Sequence, residues 1–103
     1  MNERTVSWTE ELSEEDFILN RIVYSKDFKK VEKFAVIYET KTGTKIKEAI
    51  KFDCGKTEPL HIHNFKTNEK RYLNKEKSFE TIEELTEQIR KNWKTYKLKF
   101  FER

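Results

Sequence analysis

The sequence predicts an α+β protein: an antiparallel β-sheet of about four strands covered by one C-terminal amphipathic helix. Over residues 17–66, segments rich in β-branched and aromatic residues, one of them with a clear polar–apolar alternation, suit strands that have one face on a core. Over residues 78–98, apolar residues recur every three or four positions, as on the buried face of a helix. A chain of 103 residues has the length of one ordinary domain, so we expect a single domain over residues 1–103.

The composition indicates a small core beneath a densely charged surface. Hydrophobic residues make up 35% of the chain and charged residues 40%, while two glycines and one proline argue against a linker. The single Cys54 has no second cysteine with which to form an internal disulfide. Every apolar run is too short to cross a bilayer, so we expect a cytoplasmic location and no membrane partner.

The charges are distributed unevenly along the chain. Residues 1–24 carry six acids and two bases, a net charge of −4, whereas the remainder carries thirteen acids and twenty bases, a net charge of +7. We therefore interpret residues 1–16 as an acidic leader, pinned to the body by Trp8, with Glu10–Asp16 in solvent. The basic body either attracts a polyanion such as RNA or is simply a solvated, lysine-rich surface.

The sheet is predicted over residues 17–66. Its strands are Phe17–Ser25, Val31–Thr40, Thr44–Asp53 and Leu60–Lys66. The third strand alternates most clearly, with Ile46, Ile50 and Phe52 expected on the core side. Thr42-Gly43 supplies the preceding turn, because glycine accepts a positive φ. We expect Thr67–Lys77 to be a polar connection to the helix.

The helix is predicted over residues 78–98. Its apolar stripe consists of Ile82, Leu85, Ile89, Trp93 and Tyr96. Thr81 with Glu84 fits a capping box, and Ser78 is a second candidate for the N-cap. We expect the stripe to close the sheet, the alternative being a groove for a partner helix. An exposed Phe100-Phe101 pair beyond it would indicate a homodimer contact.

Candidate chemistry is concentrated around the two histidines. His61 and His63 are two residues apart in a predicted strand, so their imidazoles should share a face, with α-carbons roughly 6–7 Å apart. Because Leu60 and Ile62 are expected to face the core, both imidazoles should face outward. Asp53 ends the preceding strand and is expected to come near them.

Several functions fit this pattern. Two imidazoles can act as the general base and general acid of a metal-independent, ribonuclease-like enzyme, with His61 and His63 as the pair and Asp53 orienting one ring. Lys66 or Arg71 would then bind the phosphate. Alternatively, the same three residues could bind a transition metal, contact a phosphate or partner, or serve only the structure. No cofactor is expected.

A longer pattern covers about residues 50–96. It consists of Phe52-Asp53, a short loop, His61-x-His63, a polar stretch to Tyr72, and Ser78-Phe79-Glu-Thr-Ile82 opening a helix that contains Trp93. This pattern resembles the TumE family, although Cys54 stands where that family often has Asn. The resemblance implies a toxin of a toxin–antitoxin pair, with a DNA-binding antitoxin as partner. If the protein is an enzyme, we expect RNA as its target. The rival interpretation is a non-enzymatic module that binds nucleic acid or protein.

Overall fold

The fold is a six-stranded antiparallel sheet followed by one long helix, in a computed structural model that describes residues 4–102. Each strand pairs with the next along the chain, so the order in the sheet is the order in the sequence. The α+β class is confirmed, with six strands instead of about four. The elements are β1 (Arg4–Glu11), β2 (Asp16–Tyr24), β3 (Val31–Thr42), β4 (Lys45–Cys54), β5 (His61–Asn64), β6 (Glu69–Tyr72) and α1 (Phe79–Phe101).

The predicted acidic leader is wrong as a separate segment, because most of it is strand β1. This strand pairs with the whole length of β2, from Arg4 opposite Tyr24 to Glu11 opposite Phe17. Its side chains are exposed or half-exposed, so it lacks the apolar alternation that marks a half-buried strand. Asp16, which was expected in solvent, is fully buried. Residues 1–3 of the predicted leader lie outside the described residues.

The predicted polar connection after β5 contains a second unforeseen strand, β6. Its four residues are all exposed, so the sequence shows no alternation of apolar and polar residues that would indicate a strand. The turn that leads into it has Asn68 at φ 61°, a left-handed conformation that asparagine tolerates better than most residues. Polar residues therefore formed a sheet edge here instead of a loop.

Helix α1 begins at Ser78, whose side-chain oxygen accepts a hydrogen bond from the backbone N–H of Thr81 at 3.2 Å. Ser78 is thus the N-cap, and the Thr81–Glu84 capping box is wrong, since Thr81 lies inside the first turn. The apolar stripe packs against the sheet as predicted. Its central residues Ile82, Leu85 and Ile89 are at most 1% exposed.

Strand β4 contains a bulge that the period-two pattern did not indicate. Ile50 lies opposite Tyr38 and Glu48 opposite Glu39, so Ala49 is the extra residue. Ile46, which lies beyond the bulge, is 61% exposed, and its predicted place in the core is wrong. The turn before β4 has Gly43 at φ 64°, as predicted.

The sheet has two unlike faces. We call the face that packs on α1 the covered face and the opposite one the open face. The buried core lies between the covered face and α1, and it includes Ile18, Ile22, Phe34, Val36, Tyr38, Ile50, Phe52, Ile82, Leu85 and Ile89. Among the described residues, no helix is both long enough and apolar enough to cross a membrane.

A buried carboxylate fastens the C-terminal half of α1 to the sheet. Asp16 accepts hydrogen bonds from the Tyr38 hydroxyl at 2.6 Å, the Ser13 hydroxyl at 2.6 Å and the Lys97 ammonium at 3.0 Å. Burial raises the pKa of Asp16, but the hydrogen bonds to its carboxylate, led by those from Ser13, Tyr38 and Lys97, outweigh burial and hold the pKa below its ordinary value. The helix end is therefore held in a fixed position over β2 and β3.

Candidate functional site

The open face carries the three residues that the sequence selected. Asp53 lies directly opposite His61 in the pairing of β4 with β5, and Lys51 lies opposite His63. Strand β6 then adds one further residue to each of these two rows. The shared face of the two histidines and the nearness of Asp53 therefore follow from the strand register.

His61 is not an accessible imidazole, so the expectation that both histidines face outward is wrong for this residue. It is 4% exposed, and its ring packs edge-on against Tyr72 with centroids 5.7 Å apart. Its Nδ1 lies 3.2 Å from the Pro59 carbonyl oxygen. A carbonyl only accepts, so Nδ1 carries the hydrogen. Because β5 lies between β4 and β6, the start of the strand is enclosed on both sides.

His63 is the more accessible of the two histidines. Its ring stacks on Phe65 at a centroid distance of 4.2 Å, and its Nε2 lies 3.1 Å from the Asn68 side-chain oxygen. Lys51 and Lys70 flank it on the neighbouring strands. An acid–base pair requires two imidazoles that both reach the substrate. The open face offers one accessible imidazole, that of His63.

The cations predicted to assist the histidines lie elsewhere. Arg71 is opposite Ile62 in the strand pairing, which puts it on the other face of the sheet from the histidines. Lys66 lies near the C-terminal end of α1, where its ammonium donates to the Glu102 carbonyl. Moving the pairing of β6 by one residue would put Arg71 on the same face as the histidines, so its position depends on the register of β6. Without knowledge of β6, its register could not be predicted.

The alternative metal site is not supported. Within residues 4–102, no group of three or more His, Cys, Asp and Glu side chains could hold a metal ion. Asp53 forms an ion pair with Lys51, whose Nζ lies 3.8 Å from Oδ2. Cys54 is buried, which raises the pKa of its thiol and disfavours the thiolate that binds metals.

A second candidate site lies between the sheet and the C-terminal end of α1. A cavity of about 310 Å³ opens there, and we call it the lysine–aromatic cavity. Tyr96, Lys99 and Phe100 line one side, since residues three and four apart share a face of a helix. The remaining lining residues are Ala49, Ile50, Asn64, Lys66, Thr67 and Glu102.

The turn after β5 fixes the opposite wall of this cavity. The Asn64 side-chain oxygen accepts hydrogen bonds from the backbone N–H groups of Lys66 at 2.9 Å and Thr67 at 3.2 Å. Strand β4 starts at the same end of the sheet and carries exposed Lys45 and Lys47. The cavity thus combines aromatic rings and ammonium groups. Of these residues only Lys66 was predicted as a site residue, because Tyr96 belongs to the apolar stripe and Phe100 was interpreted as part of a possible dimer contact.

A six-stranded antiparallel meander closed by one C-terminal helix places the protein in the α+β class. Over residues 1–103 the chain matches, and belongs to, a family described as a domain of unknown function, DUF7718. No curated protein and no solved structure matches this chain.

Proposed function

We propose that this protein is a non-enzymatic nucleic-acid-binding module that holds single-stranded RNA at its lysine–aromatic cavity. The observation that carries the proposal is the lining of that cavity, in which Tyr96 and Phe100 lie beside Lys66 and Lys99. Single-stranded nucleic acids are bound by this combination of stacking rings and cations.

Each part of the cavity has a separate role in this proposal. The aromatic rings stack with bases, at about 1–3 kcal/mol per base. The ammonium groups neutralise phosphates and release counterions, which gives affinity without sequence preference. The formal net charge of +3 adds a general attraction for polyanions.

The salt dependence of RNA binding tests the proposal. Binding of a fluorescent single-stranded RNA is measured by anisotropy over a range of salt concentrations, for the wild type and for Lys66→Ala/Lys99→Ala. Each lost phosphate contact lowers the slope of log affinity against log salt by about 0.7 on single strands. We therefore expect weaker binding and a slope reduced by about 1.4 in the double variant.

A control of equal charge change distinguishes a site from general attraction. Lys29→Ala/Lys30→Ala removes two cations from the turn between β2 and β3, at the opposite end of the strands. This variant should keep most of the affinity and the slope. Equal losses in the two double variants would contradict the cavity as the RNA site, and undetectable binding by the wild type at low salt would exclude the function.

As a second candidate, we propose a TumE-like toxin that acts on RNA, with a DNA-binding antitoxin as partner. This candidate is supported by the surroundings of His63. Lys51 and Lys70 flank it, and Asp53 lies in the adjacent row of the open face. Expression in a host should then arrest growth, and His63→Ala should relieve the arrest without loss of fold. Arrest that persists in His63→Ala would contradict a role for this imidazole.

A further inference from the structure

A separate groove runs between β1 and the N-terminal half of α1. Its volume is about 200 Å³, and it lies away from the lysine–aromatic cavity, on the other flank of the helix. Strand β1 supplies one wall and α1 the other, with a residue of β2 between them. The groove is lined by Trp8, Asn20, Phe79, Ile82, Glu83, Thr86 and Arg90.

The residue of β2 is an asparagine whose amide is only half satisfied. Asn20 is fully buried, and its side-chain oxygen lies 3.2 Å from the Thr86 hydroxyl. Its Nδ2 has no hydrogen-bond partner in the part of the chain that the structure describes. The large majority of buried side-chain amide groups in proteins have a hydrogen-bond partner, because an unpaired group lowers the stability of the fold.

The opposite orientation of this amide does not remove the problem. The Thr86 hydroxyl also lies 2.7 Å from the Ile82 carbonyl oxygen, and it has one hydrogen to donate. If that hydrogen goes to Ile82, the Asn20 nitrogen can turn toward Thr86 and donate to it. The amide oxygen then loses its partner instead. Either way, one end of the Asn20 amide remains unpaired.

Two exposed aromatic residues border the same groove. Trp8 lies directly opposite Asn20 in the strand pairing and is 40% exposed, and Phe79 in the first turn of α1 is 47% exposed. Arg90 is held against β1 by two hydrogen bonds of 2.7 Å to Glu10. This bond pair gives the groove a fixed polar end, while Trp8 lies on the edge strand β1.

We propose that this groove binds a planar heteroaromatic ring of the nucleobase class. The ring would stack against Trp8 and Phe79 and form a hydrogen bond with the unpaired end of the Asn20 amide. A volume of about 200 Å³ is below the range of about 300–1,000 Å³ found for drug-sized molecules, which fits a single fused ring system. Because Asn20 is closed to solvent in this conformation, the Trp8 side chain swings aside when the ring enters.

The proposal goes beyond RNA binding at the lysine–aromatic cavity. A nucleobase could reach the groove as a free nucleoside or as part of a strand, and both sources present the same ring. The stacking and the amide hydrogen bond are common to them. The geometry therefore does not distinguish a free nucleoside from a base within a strand, and the experiment below does.

The test is a nuclear magnetic resonance titration with adenosine, cytidine, guanosine and uridine, and separately with single-stranded RNA. The expected result is a shift of the Trp8 indole N–H and Asn20 amide signals with at least one nucleoside. Binding should be lost in Trp8→Ala and retained in the control Phe101→Ala, which removes an exposed ring outside the groove. Shifts of the same two signals with RNA only would assign the base to a strand.

A second measurement separates a ligand-binding amide from a structural one. Asn20→Leu keeps the branched shape but removes the unpaired polar group, and Thr86 retains its bond to Ile82. We expect a higher melting temperature together with about tenfold weaker nucleoside binding, the loss of one hydrogen bond. A lower melting temperature with unchanged affinity would overturn the proposal. Unchanged affinity in Trp8→Ala, a change at a residue that is 40% exposed and outside the buried core, would also overturn the proposal. So would the absence of any shift at millimolar nucleoside and RNA.

Discussion

The covered and open faces belong to the same strands but carry different kinds of residue. On the covered face, Ile18, Val36 and Phe52 are at most 1% exposed beneath α1. On the open face, alternate positions of the same strands hold the charged Arg21 and Lys51 together with the buried Ile37. The comparison shows that the main core lies beneath α1, whereas the open face buries the β3 residues Ala35 and Ile37 without a covering helix.

The same comparison explains why residue chemistry was a poor guide to the site. The histidines attracted attention as titratable residues, yet strand packing on the open face encloses His61. The cavity and the groove, by contrast, flank α1 and are built from residues that resemble ordinary core or surface. Both proposed sites lie beside α1, where the helix meets the sheet.

The largest expected effect is on the covered face. Leu85→Ala or Ile89→Ala leaves a cavity in the core and should lower the free energy of unfolding by about 2–5 kcal/mol. Leu98→Ala on the same helix is the control, because this side chain is 75% exposed and should change stability by less than about 0.5 kcal/mol. Chemical denaturation measures all three. Losses below about 1 kcal/mol at both core positions would mean that the stripe serves a partner.

A smaller effect is expected where the covered face meets the end of α1. Asp16→Ala leaves the buried Tyr38 hydroxyl without its acceptor, which should cost about 1–3 kcal/mol in unfolding free energy. Glu14→Ala, on an exposed neighbour, should be close to neutral. Equal stabilities of the two variants would contradict a structural role for the Asp16 hydrogen bonds.

The same carboxylate predicts a pH dependence. The pKa of Asp16 is lower in the folded protein than in the unfolded chain, so its contribution to stability is complete above about pH 4. That contribution is lost as the pH falls through the folded-state pKa, because the unfolded state then binds more protons. Denaturation midpoints at pH 7 and pH 3 should differ more for the wild type than for Asp16→Ala. A difference of the same size in both would contradict this assignment.

The smallest effects separate the two histidines of the open face. His61→Ala removes a buried ring and should cost about 1 kcal/mol, whereas His63→Ala, on a half-exposed ring, should stay within about 0.5 kcal/mol. Thermal unfolding measures both. Equal and negligible costs would show that His61 is less enclosed in solution, which would restore the paired-imidazole mechanism.

The sequence predicted the fold best where burial leaves a periodic trace. The stripe of α1 and strand β4 were found because their apolar residues recur with the period of the element. Strands β2 and β3 were found from their β-branched and aromatic residues. Strands β1 and β6 were missed because edge strands with exposed side chains carry no such trace. The bulge at Ala49 likewise depends on pairing with β3, which a single strand does not encode.

The candidate site was less predictable, for a different reason. The placement of Asp53, His61 and His63 on one face followed from period two, but the enclosure of His61 required β6. The lysine–aromatic cavity joins residues 49–67 to residues 96–102, far apart in the chain. Such a cavity depends on where α1 ends over the sheet.

The most direct test of RNA binding is to map where the strand contacts the protein. Backbone amide shifts are recorded while single-stranded RNA is added to the full chain at low salt. We expect the largest shifts around Lys66, Tyr96, Lys99 and Phe100, which line the cavity. Shifts centred on Lys51, His63 and Lys70 instead would place the RNA on the open face and contradict the account.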